Sequence, residues 1–272
     1  VGLVAGGQVA ADGNIEARDG VVRGRLVAGY RAVLARRLQP VLPAFAKRLE
    51  ALQLAVYQLQ GAAAERLEET PEPARLAELL LARQFADIPR SARQLRQALA
   101  EFAPHLRADR QLEALYATLG RITTHRATCE DLAALVYAVA DATVFLEAHQ
   151  AVVGDIDLTY AHHATVTASG RIRVLHQGAY FSNFSAGREF RSYGPIIGGR
   201  GEAERSIVVA EAGSVAEAVT WLCVKGEGSI HVRRGHANVI LKIGEAKRRL
   251  KAVTGPFTAK LVGRRIHFVA GH

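Results

Sequence analysis

Histidines, paired acids and glycine-rich loops are the residue types through which a chain of this composition would do chemistry, and none completes a motif. Gly198-Gly-Arg-Gly-Glu has the glycines of a phosphate cradle but lacks the Lys-Ser/Thr ending. Neither G-x-G-x-x-G nor G-x-S-x-G occurs. His162-His163 and His176 lie in strand-like sequence, where adjacent side chains point to opposite faces. A metal would need His163 and His176 to converge from neighbouring strands, and exposed strand histidines are the plainer reading. Asp155/Asp157 and Glu202/Glu204 are the close acidic pairs of the C-terminal half. Cys129 and Cys223 stand far apart without a CxxC neighbour, which speaks for a reduced, cytoplasmic protein with no zinc or redox motif. No catalytic, cofactor-binding or metal-binding residue is assigned, and no cofactor is expected.

Two clusters remain. Tyr180, Phe181, Phe184, Phe190 and Tyr193 place five of the 17 aromatic residues in one short stretch. They would serve as a stacking platform for sugar or for a partner's apolar side chains. Core filling is the plainer reading, because clustered aromatics are mostly buried. Trp221 and Cys223, alternating with Leu222, are also core-like.

The second cluster is electrostatic. Of the net charge of +9, essentially the whole excess lies after residue 232, where ten bases face Glu245 alone. Arg233, Arg234, Lys247, Arg248, Arg249, Lys251, Arg264 and Arg265 form the candidate anionic-partner patch. Nucleic acid, anionic lipid or an acidic protein would answer it, with a solvated end cap as the bland alternative.

The elements that must carry these residues fall into segments of different texture. Residues 1–30 repeat a Gly-x-aliphatic unit at Gly7-Gln-Val9, Gly13-Asn-Ile15, Gly20-Val-Val22 and Gly24-Arg-Leu26. The alternation predicts short half-buried strands that bend at each glycine. From 31 to 150 glycine nearly vanishes, and Ala, Leu, Gln, Glu and Arg dominate. Leu38, Leu42, Phe45, Leu49, Leu52, Val56 and Leu59 alternate at spacings of four and three, a coiled-coil seam. A regular helix is expected from about 41 to 69, then helices over roughly 72–86 and 90–103, a fourth around Leu112–Ile122 and a fifth from Thr128 through Leu146. Thr70-Pro71 and Thr128-Cys-Glu-Asp131 are their start signals.

The glycine unit resumes at Gly154-Asp-Ile156, Gly170-Arg-Ile172 and Gly228-Ser-Ile230. The expected architecture is therefore a β-solenoid in two parts, 1–30 and 151–245, interrupted by an antiparallel helical coiled-coil or bundle insertion over 31–150 and closed by a basic cap over 246–272. The first residue is Val and Met is absent, so the chain reads as a trimmed piece. No apolar run approaches the ~20 residues that span a bilayer.

The order of these pieces resembles the FapA (flagellar assembly protein A) family. The likeness rests on Ala5-Gly-Gly-Gln-Val-Ala-Ala-Asp-Gly-Asn-Ile-Glu-Ala-Arg18 before the helices and on Gly170-Arg-Ile-Arg-Val and Gly178-Ala-Tyr-Phe-Ser-Asn-Phe after them. Gly194-Pro-Ile-Ile-Gly-Gly-Arg-Gly-Glu-Ala203 and Asn238-Val-Ile-Leu-Lys-Ile-Gly244 continue it. The resemblance implies a right-handed β-helix, a bacterial cytoplasmic setting, a role in polymerisation, flagellar assembly or cell-pole organisation, and no catalytic residues. The leading expectation is a non-enzymatic scaffold that associates with itself or with another protein. The alternatives are a β-helix enzyme, either an acyltransferase or a polysaccharide lyase, and binding of nucleic acid or a membrane surface through the basic end. The acyltransferase would need a sustained hexapeptide period, which glycine spacings of six, seven and four do not supply.

Overall fold

A computed structural model describes residues 1–65, 88–124, 129–216 and 218–270. The chain divides into two compact units, Val1–Val33 with Ala151–His272, and Leu34–Gln150. The expected helix over 72–86, its Thr70-Pro71 start, Thr128 of the second start signal and the side chains of Leu59 and Cys129 lie outside what is described.

The first unit holds one mostly parallel sheet of 16 strands. They are β1 Val4–Ala5, β2 Gln8–Ala11, β3 Ile15–Ala17, β4 Val21–Val22, β5 Arg25–Ala28, β6 Ile156–His162, β7 Thr165–Ala168, β8 Ile172–Ala186, β9 Glu189–Ala203, β10 Ser206–Ala212, β11 Thr220–Val224, β12 Ser229–Gly235, β13 Val239–Ile243, β14 Ala246–Arg249, β15 Phe257–Val262 and β16 Arg265–Ala270. The path runs β1-β4-β6-β8-β9-β10-β12-β15-β16, with β2, β5, β7, β11, β13 and β14 on side branches and β3 joined to β6. Strands β14, β15 and β16 pair antiparallel.

This sheet corrects the expectation of a single-stranded right-handed β-helix. The ladder is open, it branches, and it turns antiparallel at its C-terminal end. The glycine periodicity is a local signal for a strand and a bend. It does not state which strand lies beside which, and hydrogen-bond register decided that.

The register explains the composition. Ile15, Ile156, Ile172, Phe190, Ile207 and Ile230 are successive partners across six strands. Each is 6% exposed or less, so one aliphatic column forms the spine of the core. Full burial of such a side chain contributes roughly 1.5–3 kcal/mol. A second column runs Leu26, Val166, Phe184, Gly201, Leu222 and Leu241. Phe184 stacks on Phe190 at 4.7 Å between ring centroids. A Cβ at Gly201 would stand 2.7 Å from the Phe190 ring, so the stack requires glycine there.

The second unit contains α1 Tyr30–Leu38 (whose first turn belongs to the sheet unit), α2 Leu42–Glu65, α3 Ile88–Ala100, α4 Ala103–Leu106, α5 Arg110–Thr124 and α6 Cys129–His149. Helix α6 packs between α2 and α5, and α5 packs on α3. Leu38, Leu42, Phe45, Leu49, Leu52 and Val56 are all buried. They do not form a coiled-coil insertion, the second correction to the expected fold. Leu38 ends α1, residues 39–41 form a turn around Pro40, and Leu42 opens α2. Further breaks at 101–102 and 107–109 leave helices of unequal length, which cannot sustain a shared heptad seam. Pro104 starts the one-turn α4 where a proline is tolerated.

Helix α6 also qualifies the reading of apolar runs: Glu130–His149 is long and apolar enough to cross a membrane, by length and composition alone. Leu132, Leu135, Val139, Ala142 and Leu146 nevertheless spend its apolar stripe inside the helical unit.

The tightest points of the sheet unit are glycine contacts. A Cβ at Gly154 would lie 2.3 Å from the Gly29 nitrogen and 2.8 Å from the Gly13 carbonyl oxygen. These neighbours are backbone and cannot step aside. Gly154→Ala is expected to destabilise the protein by about 2 kcal/mol, the range for overpacking. A urea midpoint equal to the parent's would refute that close approach.

Candidate interaction surfaces

Three features of the sheet unit present side chains or backbone outward with identifiable chemistry. The first is a bend of left-handed backbone. Arg23, His163 and Phe181 have φ of 49°, 49° and 50°. Arg23 N–H donates to the His162 carbonyl and His163 N–H to the Tyr180 carbonyl, which brings the bend of each strand beside the next. Gly6 and Gly198 occupy the same kind of position with φ of 71° and 70°. For glycine the conformation is free, whereas each non-glycine residue costs about 1–2 kcal/mol. What the cost provides is a column of exposed side chains. His163 stacks on Phe181 at 5.4 Å and 13°, and Phe181, 51% exposed, lies over Gly198.

This bend also corrects the geometry expected of His162 and His163. Strand alternation would separate them. The positive φ at His163 breaks that alternation, and their rings meet edge to face at 4.3 Å. From the neighbouring strand, the ring that meets His163 is Phe181 and not His176.

Two residues after this column, in each strand, lies a polar groove. Thr165, Thr167, Asn183, Ser185, Arg200 and Glu202 line it over a floor of Val166 and Phe184, with a volume of about 350 Å³. Register sets Thr165, Asn183 and Arg200 in one row and Thr167, Ser185 and Glu202 in a parallel one. Arg200 and Glu202 form an ion pair. The side chains of Thr165, Thr167, Asn183 and Ser185 make no hydrogen bond to another described residue. Beyond the ion pair, Arg200 has Trp221 as its register partner and Glu202 has Cys223. Burial pushes the Cys223 thiol above its ordinary range, partly offset by the nearby Arg200 charge, so it is a poor nucleophile.

The third feature is the contrast between the ends of the sheet. At the C-terminal end the basic residues of the sequence-level patch do not form one surface. Lys247 sits over the Trp221 ring at 4.4 Å, whereas Arg248 covers the Phe268 ring at 4.0 Å and donates to the Ile266 carbonyl. Arg249 bonds Asn238, and Arg234 approaches Glu211 at 4.0 Å. Arg233 and Lys251 are exposed on their own segments, and Arg264 and Arg265 lie exposed at the β15–β16 turn. Alternation along β14 is what divides the run: neighbouring residues point to opposite faces. At the other end, β1 pairs only with β4 and β2 only with β5 among the described residues. The edge residues Val4, Ala5, Gln8, Val9, Ala10 and Ala11 carry no charge.

The aromatic cluster is also divided. Phe184 and Phe190 are core, while Phe181 and Tyr193 are about half exposed and Tyr180 is intermediate. Leu222 joins the core cluster and Cys223 beside it is buried, whereas Trp221 is only partly buried. The groove was missed because its residues are commonplace singly, and only register sets them side by side. Among the described residues no group of three or more His, Cys, Asp and Glu side chains is placed to hold a metal. No family model, no curated protein and no solved structure matches the chain.

One ion pair fixes the strands behind these surfaces. Asp155 accepts from the Arg171 backbone N–H at 2.6 Å and from its Nη2 at 2.8 Å. Burial pushes this carboxyl up, but the two kinds of hydrogen bond and the guanidinium charge outweigh it and hold it below 3.8. The pair therefore stabilises the fold fully above that pH, and the contribution is lost as pH falls through the lowered value. Arg171 is half exposed, so solvent screening limits the effect to below ~1 kcal/mol. Asp155→Asn should lower the thermal midpoint slightly at neutral pH. The gap to the parent should narrow as pH falls below the ordinary carboxylate range and the parent loses its charge at this position; a gap independent of pH would refute the electrostatic origin.

Proposed function

We propose that this protein is a non-enzymatic scaffold that works by associating with itself or docking another protein at the β1–β2 edge of its sheet. The observation that carries this reading is the asymmetry of the two ends. Among the described residues, strands β1 and β2 leave one edge of backbone groups unpaired beside small, uncharged side chains, the arrangement that accepts an added strand. The opposite end finishes in antiparallel hairpins bearing Lys247, Arg248, Arg249, Lys260, Arg264 and Arg265. Charges on an edge oppose strand addition. Growth would then proceed from one end only.

A bacterial cytoplasmic setting and a part in flagellar assembly or cell-pole organisation remain the proposal for its cellular role. They rest on the sequence likeness to the FapA family, whose implied β-helix is not the fold found. The docking reading stands on the strand edges without it.

Sedimentation velocity over a concentration series tests the proposal. Larger species should accumulate with concentration, and Ala10→Lys, which puts a charge on the edge, should weaken association about tenfold. A parent that stays monomeric throughout, and recruits no strand from a partner, would sink it.

A further inference from the structure

We infer that the groove beside the Arg23–His163–Phe181 bend binds a neutral oligosaccharide. This goes beyond the docking role and does not depend on it. Three observations converge. The groove is polar, and the one cation among the residues that line it, Arg200, is paired with Glu202, while Arg25 flanks Thr165 at the end of the row. Its Thr165, Thr167, Asn183 and Ser185 side chains spend none of their hydrogen-bonding capacity on other described residues. They supply both donors and acceptors, repeated at the strand spacing of about 4.8 Å. The border carries two rings, and the chain accepts unfavourable backbone geometry to expose them: Phe181 and His163, like Arg23, hold left-handed conformations that the ends of the column, Gly6 and Gly198, give to glycine.

A ligand that suits both parts must present apolar C–H faces to rings and a dense row of hydroxyls to side-chain amides and hydroxyls. Sugars do both. A charged polymer would have to break the Arg200–Glu202 pair. An apolar peptide would leave the row of polar groups unmatched, at a desolvation cost for each. A volume of about 350 Å³ is at the small end of ligand sites and suits about two sugar rings, with the rest of a longer chain lying outside.

The test uses the full chain labelled with ¹⁵N and titrated with cello-, malto- and xylohexaose as neutral probes and hexagalacturonate as the anionic one. At least one neutral hexasaccharide should shift the amide resonances of Thr165, Asn183 and Arg200, with Kd of about 1 mM or tighter. Phe181→Asn removes the ring and keeps a residue that tolerates positive φ, and Asn183→Ala removes an amide from the polar lining. Each should weaken binding about tenfold while the unperturbed amides keep the parent's pattern, which shows that the fold survives. Three results would overturn the inference: no shift with any neutral hexasaccharide at about 10 mM, binding of hexagalacturonate alone, or neutral binding that both substitutions leave intact.

Discussion

Backbones that must lie one strand spacing apart, in register, set the terms for the rest of the sheet unit. Parallel ladders hold residues of like position side by side, so a choice at one position is felt by its partners on both flanks. The column from Ile15 to Ile230 is the favourable consequence: like residues stack and bury one another. The glycine contacts are the restrictive one. Gly154 meets the backbone of Gly29 and Gly13 so closely that it has no room for a side chain. The same closeness puts Ser169 Oγ where it accepts from the Gly154 N–H at 2.7 Å, while the Ser169 N–H donates to the Ala28 carbonyl, on the other side of the helical unit in sequence.

Against that constraint, the bend at Arg23, His163 and Phe181 is conspicuous. Elsewhere among the described residues the sheet unit fills left-handed positions with glycine or, at Asn238, with the residue best able to replace it. Here it does not, and the side chains so placed stand beside a groove of unspent polar groups. Local strain of this kind persists only where the surroundings over-determine it, and neighbouring strands provide that through the Arg23 and His163 hydrogen bonds.

Charge follows the same logic at longer range. Read linearly, the C-terminal bases form a patch. Folded, they are divided by strand alternation, and two are drawn over aromatic rings, Lys247 over Trp221 and Arg248 over Phe268. Such contacts stabilise the terminal strands and leave edge strands that repel addition. The excess positive charge therefore reads as protection of one end as naturally as it reads as a lure for anions.

By itself the sequence determined the local elements: short strands bending at Gly7, Gly13, Gly20 and Gly24, helices carrying Leu42 to Val56 on a buried face, and a return to strands near residue 154. These are set by periodicity, glycine freedom and proline position, all of which act within a few residues. Pairing was decided only in the tertiary structure, because a hydrogen-bond register joins residues as distant as Ile15 and Ile156 and leaves no mark in either segment alone. For that reason an open, branched sheet took the place of the expected β-helix, and a heptad stripe at Leu38–Val56 became the core of an irregular helical unit. The groove of Thr165, Asn183 and Arg200 existed in no stretch of sequence. It came into being when three strands were laid side by side.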